Sequence, residues 1–463
     1  MKNEKIFDKQ ALLAEEAIYC SHGDTVHYID PPKIFTRALG SFMYDEKDQP
    51  YLDLQMWYSA VSFGYGNPRI NNALKKQLDV LPQIASQYLH REKIELASLI
   101  CRRMENTHGI KGRVHFNVGG AQAIEDSLKL VRNFCRGKSL MLAFEGGYHG
   151  RTLSASSITS SYRYRRRYGA FGDRGVFVPY PYCFRCPYKL HRDTCDLFCA
   201  QQFERLFETE YYGLWDTKVG EAECAAFYVE CIQGTGGYVI PPDGYFPVLK
   251  RVLDEHKILL VDDEIQMGFF RAGKYWGMEN FGVIPDVVVF GKAMTNGLNP
   301  LSGLWAKEEM INPTVFPCGS THSTFASNPL GTAVALETLQ MLEEIDYETK
   351  VKESGRYFLE GLQELKKRHL IIGDVDGLGL ALRIEICGVD GFTPDKAMTD
   401  SIVETALNGG LTVKGQQYGL VLDIGGYYKN VITLAPSLDI TREEIDLGIR
   451  LLDELFCRVS KKG

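Results

Sequence analysis

Five kinds of segment are missing from this 463-residue sequence. It has no apolar run of about 18 residues and no charged leader followed by an apolar stretch, so we expect neither a membrane span nor a secretory leader. It has no basic block and its net charge is −7, which argues against nucleic-acid binding. It has no internal repeat and no low-complexity linker. We therefore expect a soluble, cytoplasmic protein with neither a membrane nor a nucleic acid as a partner.

The composition is that of an ordinary globular protein, with 45% hydrophobic and 24% charged residues. The length allows a large core and more than one domain. From about residue 70 helical and strand patterns alternate, as in an α/β sheet. After this alternating region the sequence predicts a charged amphipathic helix and further short strands. We predict an N-terminal segment 1–75 that is part of a small domain, a large domain over 76–335, and a small C-terminal domain over 336–463.

The 12 cysteines do not form a disulfide pattern. We expect most of them to be small buried residues of a cytosolic protein. Four of them fall in an insertion over 183–199 with the spacing C-x2-C-x8-C-x3-C. They are Cys183, Cys186, Cys195 and Cys199. This spacing could hold one tetrahedral structural zinc ion; an insertion packed by buried thiols is the alternative.

Lys292 follows a short, apolar, mostly β-branched strand, Val287–Phe290, after the single residue Gly291. That pattern predicts a fully buried strand of a parallel sheet, and α/β folds place ligands at the carboxyl ends of such strands. A partly desolvated lysine amine can lose its proton and form a Schiff base. A solvated strand end is the alternative.

Two other strand ends suggest ligand contacts. One leads into Gly119 and Gly120 and then a helix, an arrangement that can bind an anion through free backbone N–H groups; a tight turn is the alternative. Another leads to Tyr148 and His149 between glycines. An aromatic ring there could stack on a flat ligand, or it could be the buried tyrosine of a loop.

Two further strands end on carboxylates, at Glu230 and Asp263. A phosphate site, an aromatic, a carboxylate and an amine together suit pyridoxal phosphate. The phosphate would bind at the helix, the ring against the aromatic, the ring nitrogen to the carboxylate and the aldehyde to Lys292. A nicotinamide site would require G-x-G-x-x-G after the first strand, and that motif is absent.

These motifs, in this order, resemble the class III aminotransferases, which are pyridoxal-phosphate enzymes of fold type I. The resemblance extends from about Phe35 to the last helix. It implies an α/β fold, with a large domain of mostly parallel sheet flanked by helices and a smaller α/β domain. It implies that Lys292 and Asp263 are catalytic. The residues implied to bind the cofactor are Gly120, Ala121, Tyr148, His149, Glu230, Asp263, Gln266, Lys292 and Thr324.

The resemblance also implies an assembly. Thr324 matches a threonine that reaches the phosphate bound by the other subunit, so we expect a homodimer or a dimer of dimers, with the active site at the interface.

The sequence departs from the family pattern at three positions. Ala121 replaces the usual Ser or Thr, Cys231 replaces a proline, and Thr433 replaces an arginine that grips a substrate carboxylate. Glu230 would then lack its usual cationic partner and favour an amine-bearing substrate. Arg383 or Lys414 could restore carboxylate binding.

Trp57 and Tyr58 are expected either to pack in the core or, with Glu230, to line the substrate pocket. We predict an aminotransferase that moves an amino group from an amine or amino acid to a keto or aldehyde acceptor through a Schiff base at Lys292. An amino-acid racemase or epimerase of the same fold is the alternative. A non-enzymatic cofactor-binding protein is a third possibility, for which the lysine and aspartate pair would have little use.

Overall fold

The computed structural model describes residues 8–21, 23, 26–169, 171 and 174–461. The strands of this part are β1 (Phe35–Leu39), β2 (Phe42–Asp45), β3 (Pro50–Asp53), β4 (Gly112–Asn117), β5 (Leu140–Phe144), β6 (Arg174–Val178), β7 (Trp215–Asp216), β8 (Glu221–Ala222), β9 (Cys224–Val229), β10 (Leu259–Asp263), β11 (Val287–Phe290), β12 (Ser302–Lys307), β13 (Ile372–Leu378), β14 (Ala381–Ile386), β15 (Leu411–Val413), β16 (Gln416–Val421), β17 (Asp423–Gly425) and β18 (Val431–Leu434).

The helices of the same part are α1 (Lys9–Tyr19), α2 (Met56–Ser59), α3 (Pro68–Val80), α4 (Arg91–His108), α5 (Gly120–Phe134), α6 (Leu153–Ser157), α7 (Phe198–Arg205), α8 (Tyr245–Glu255), α9 (Glu308–Ile311), α10 (Pro329–Glu344), α11 (Tyr347–Arg368), α12 (Lys396–Asn408) and α13 (Arg442–Ser460). None of these helices is both long and apolar enough to cross a membrane.

The centre of the large domain is a seven-stranded sheet with the order β4-β12-β11-β10-β9-β5-β6. Strands β11, β10, β9, β5 and β6 are parallel, whereas β12 is antiparallel to both of its neighbours. Every residue of β9 and β11 is buried, which is why their sequences are continuous apolar runs. The carboxyl ends of these parallel strands therefore meet at one edge of the sheet.

Two smaller sheets are formed mainly by the end of the chain. A four-stranded antiparallel sheet has the order β13-β14-β18-β17. A five-stranded sheet joins β1, β2 and β3 from the beginning of the chain to β16 and β15 near its end. The domain boundaries remain a prediction, although this sheet brings the N-terminal strands to the C-terminal part.

The last helix, α13, begins with a capping box. The Thr441 hydroxyl accepts from the Glu444 backbone N–H at 3.2 Å, and the Glu444 carboxylate accepts from the Thr441 N–H at 2.9 Å. This capping box satisfies two helix donors that would otherwise lack partners.

Candidate active site

Lys292 lies directly after β11, at the edge where the parallel strands end. It begins a short 3-10 helix, Lys292–Thr295, and its φ of 42° lies in the left-handed region. Non-glycine residues adopt that conformation only when their surroundings hold them there, often at functional sites. Burial lowers the pKa of the Lys292 amine, although the charges of Asp263, Glu230 and Asp423 act to raise it. A lysine with a lowered pKa more readily supplies the neutral amine that nucleophilic chemistry requires.

Asp263 and His149 form a buried pair beside this lysine. Asp263 ends β10, the neighbour of β11, and lies in register with Val289. Its Oδ2 is 2.8 Å from His149 Nδ1, and the two residues are 4% and 2% exposed. Burial acts to lower the pKa of His149, but the hydrogen bond to Asp263 and the charges of Asp263 and Glu230 raise it overall. The imidazole therefore fixes the orientation of the carboxylate and stabilises its charge.

Glu230 lies at the end of β9, the next strand of the sheet. Its Oε1 accepts from the Tyr148 backbone N–H at 2.7 Å, and its Oε2 accepts from the Gly234 N–H at 2.8 Å. Burial raises its pKa to about 7, because the two N–H groups and His149 only partly offset desolvation. The Glu230 carboxylate thus holds the Tyr148 loop against the edge of the sheet through a hydrogen bond.

The N-terminus of α5 offers an anion site at the same edge. Gly119 precedes the helix, and no side chain caps it. A Cβ on Gly120 would lie 2.9 Å from Ile265 Cδ1, so glycine lets the helix approach the segment after Asp263. A Cβ on Gly150 would lie 2.7 Å from Ala121 Cβ, at a φ of +128°. The free N–H groups and the helix dipole suit a phosphate.

Trp57 and Tyr58 belong to α2, which is a left-handed turn. The φ values of its four residues run from 44° to 66°. Trp57 is 53% exposed and Tyr58 43% exposed, so the expectation that they pack in the core is wrong. Both rings remain available to line a pocket. The strained backbone explains why they are exposed, because it turns two large side chains outward from a buried segment.

Sequence reasoning missed two residues near this edge. Asp423 accepts from the hydroxyls of Tyr28 at 2.7 Å and Thr433 at 3.0 Å, and its charge acts on Lys292. Arg151 follows the Tyr148 loop, and its guanidinium lies 4.4 Å from the ring centre of Tyr164. No sequence signal marks Asp423, because its partners lie far away in the chain. Arg151 could have been found from its place directly after the glycine of the Tyr148 loop.

The other predicted site residues lie as follows. Gln266 donates from Nε2 to the Tyr238 hydroxyl at 2.8 Å. Thr324 is exposed in the loop before α10. Arg383 is buried and bonded to Glu385 and Tyr182, so it is not free to bind a carboxylate.

The zinc prediction is not supported. Cys183, Cys186, Cys195 and Cys199 all line one cavity of about 30 Å³. They are not among the described groups that bring three ligand atoms within 4.8 Å of one another. A tetrahedral zinc site with Zn–S bonds of about 2.3 Å requires closer sulfurs than that.

Comparison with known proteins identifies the family. The family described as aminotransferase class-III matches residues 25–456. An alanine/serine racemase from Pyrococcus horikoshii is 32% identical, over 91% of this chain and 85% of that protein. An acetylornithine aminotransferase from Caldanaerobacter subterraneus is 28% identical, over 92% and 95%. The crystal structure of an (S)-enantioselective omega-transaminase from Thermomicrobium roseum has a TM-score of 0.85 at 26% identity, over 98% and 99%.

The chain belongs to the class-III aminotransferase family. It is a pyridoxal-phosphate-dependent aminotransferase of fold type I, which confirms the predicted fold, enzyme class and cofactor. The residues at the sheet edge fit that cofactor. The uncapped helix suits its phosphate, the buried Asp263 suits a protonated ring nitrogen, and the Lys292 amine suits its aldehyde.

Proposed function

We propose that Lys292 holds the cofactor and moves the proton of the substrate carbon that bears the amino group, and that at least one of the two substrates carries an amine other than that of a simple α-amino acid. The observation that carries this proposal is the buried pair of Asp263, the last residue of β10, with His149. Strand β10 is paired with β11, the strand that precedes Lys292. A buried carboxylate held by an imidazole has a defined use when a protonated ring nitrogen lies against it.

When bound, pyridoxal phosphate supplies an electron sink for the bond that breaks at the substrate carbon. Residues of the chain would bind and orient the cofactor and move the proton. The α5 N-terminus, with Gly120 and Ala121, holds the phosphate, and Tyr148 packs against the ring. Asp263 keeps the ring nitrogen protonated, and His149 orients Asp263. Lys292 acts as base and acid because its pKa is lowered by burial.

The substrate class follows from charge. Thr433 replaces the arginine of the family pattern, and among the described residues Glu230 makes no ion pair with a lysine or arginine. A carboxylate in that position attracts an ammonium group and repels an anion. The Arg151 guanidinium lies 6.0 Å from the ring centre of Tyr148 and is a cation that could receive a substrate carboxylate.

We further propose that the enzyme is a homodimer. The Thr324 loop is exposed, and Phe325 next to it is 70% exposed. Leu89 is also exposed, at 74%. Hydrogen bonds between Ser86 and His322 and between His90 and Ser327 bring the two segments together, and a shared exposed apolar patch suits contact with another subunit. Localisation in the cytoplasm remains a prediction.

Racemisation is the second candidate, because a racemase is among the similar proteins. Incubation of the loaded enzyme with an amino donor separates the two. Stable conversion of the cofactor to its amine form supports transamination. Rapid loss of optical activity without that conversion supports racemisation, and no spectral change with any donor contradicts both.

A metal on the four cysteines of the 183–199 insertion stays a separate prediction. Metal analysis of the purified protein tests it. About one zinc per chain, lost in a variant with Cys195 and Cys199 changed to Ser, would support it.

A further inference from the structure

A cavity of about 480 Å³ lies between the 183–199 insertion and the strands β13 and β14. Its charged lining includes Lys189 and Arg192 from the insertion, Asp374 and Asp376 from β13, and Arg383 from β14. None of the residues predicted to bind the cofactor lines it. Small-ligand sites commonly have about 300–1,000 Å³, so this cavity is large enough to hold a small molecule apart from the active site.

Two of the charged groups already have ionic partners. The Arg383 guanidinium contacts the carboxylate of Glu385, and its Nη2 lies 3.5 Å from Asp374 Oδ2. The other oxygen of Asp374 lies 3.7 Å from the Lys366 amine. The charges of Arg383 and Asp374 are therefore largely balanced within the protein and leave little attraction for a ligand.

Asp376 and Arg192 have no such partners. Among the described residues, neither side chain makes an ion pair within 4.0 Å. The Asp376 carboxylate accepts from the Gly377 backbone N–H at 2.8 Å. Burial raises the pKa of Asp376, and the neighbouring N–H and guanidinium groups offset this only in part. A cation placed against this carboxylate would replace solvation that burial removes.

Apolar side chains complete the lining, and they include Phe184, Val239, Ile240 and Phe392. The ring centres of Phe184 and Phe392 are 5.5 Å apart, so the insertion and the loop after β14 contact each other at the cavity. A ligand in the cavity therefore meets an unpaired anion, an unpaired cation and an apolar surface. An α-amino acid with an apolar side chain presents the complementary groups.

We propose that this cavity binds a free α-amino acid with an apolar side chain, whose ammonium group contacts Asp376 and whose carboxylate contacts Arg192. A lone amine or a lone carboxylate would satisfy only one of the two charges. Because Lys292 does not line the cavity, the amino acid held there is a ligand rather than a substrate.

The test measures binding to holoenzyme that has been reduced with borohydride, so that an amino acid cannot displace Lys292 from the cofactor. Three probes share one carbon chain. Norleucine carries both charges, 1-aminopentane lacks the carboxylate, and hexanoate lacks the ammonium group. By isothermal titration calorimetry, we expect norleucine to bind at least about tenfold more tightly than either analogue.

Two variants assign the charges to residues. Asp376→Asn should weaken norleucine binding by about tenfold and leave the affinity for hexanoate unchanged. Arg192→Gln should weaken norleucine binding by about threefold or more and leave the affinity for 1-aminopentane unchanged. Arg192 is exposed, so its variant tests the site even if Asp376→Asn lowers stability. Asp196→Asn and Arg205→Gln, which alter exposed residues outside the cavity, are the matched controls and should bind norleucine normally.

Three results would each overturn the inference. The first is norleucine that does not bind at about 10 mM, and the second is an analogue that binds as tightly as norleucine. The third is norleucine binding that Arg192→Gln, or a folded Asp376→Asn, leaves unchanged. The proposed aminotransferase function does not depend on any of these results.

Discussion

At the scale of single residues, turnover depends on the amine of Lys292. Lys292→Ala should reduce the rate on the order of 10³-fold or more, because no other group could bind the aldehyde and move the proton. The fold should persist, with an unchanged circular dichroism spectrum and melting temperature. Lys76→Ala, which removes an exposed amine from α3, is the control. Substantial turnover by the Lys292 variant would remove this lysine from the mechanism.

Asp263 is the second residue on which the rate depends. Asp263→Asn should leave the cofactor bound but lower kcat on the order of 10²-fold or more, since a neutral amide no longer holds the ring proton. Asp262→Asn is a strict control. Burial and the adjacent Glu264 raise the pKa of Asp262 well above its usual range, so an amide at this position changes the charge less than it does at Asp263.

Kinetics of both variants, with cofactor content measured by absorbance, decide between the two aspartates. Loss of activity in the Asp262 variant with retention in the Asp263 variant would reverse their roles.

Glu230 should make stability depend on pH. Its folded pKa of about 7 exceeds the ordinary 4.5, so the folded protein binds more protons than the unfolded chain between those values. The contribution of Glu230 to stability is therefore greatest at low pH and falls as the pH rises through that window. Glu230→Gln has no carboxyl group to titrate, so it lacks this pH-dependent contribution to the free energy of unfolding.

The variant should gain stability relative to the wild type between about pH 5 and pH 8, by up to about 3 kcal/mol. Urea unfolding of both proteins across that range measures the difference. A difference that does not change with pH would show that Glu230 keeps an ordinary pKa.

Residues of the site differ in how far the sequence predicts them. Lys292, Asp263 and Glu230 each lie at or just after the end of a buried strand, and the parallel order of those strands brings them to one edge. Asp423 could not be found this way. Its contacts come from Tyr28 and from a register that pairs it with Thr433, and neither follows from a local pattern.

At the scale of elements, the left-handed turn α2 is the feature that local patterns do not predict. Met56–Ser59 has no glycine, and each non-glycine residue in that region costs about 1–2 kcal/mol. Tertiary contacts must hold it, such as the bonds from the Gln55 and Met56 N–H groups to Asp53 at 2.8 Å. The capping box of α13 is, by contrast, a local signal, because its two partners lie three residues apart in the sequence.

Ser59 provides a test of this turn. It is buried with a φ of 66°, where glycine is favoured over alanine. Ser59→Gly should be more stable than Ser59→Ala by about 1 kcal/mol, measured by urea unfolding. The usual order in a right-handed helix is the reverse, so a more stable alanine variant would contradict the left-handed conformation.

At the scale of the whole molecule, the fold predicts an assembly of two chains. Phe325→Asp should weaken the dimer, because a charge at an apolar interface must be desolvated without a partner. Val389→Asp is the control, since Val389 is 96% exposed in the small domain. Sedimentation velocity measures both. A monomeric wild-type enzyme with bound cofactor, or a Phe325 variant that stays dimeric, would contradict the proposed interface.

The central claim concerns the bond between the protein and its cofactor. Borohydride reduction of the loaded enzyme fixes the cofactor to whichever lysine holds it, and mass spectrometry of the peptides then identifies that residue. We predict one modified lysine per chain, at Lys292, and no modification in Lys292→Ala. A reduced cofactor on another lysine, or none on any, would contradict the claim.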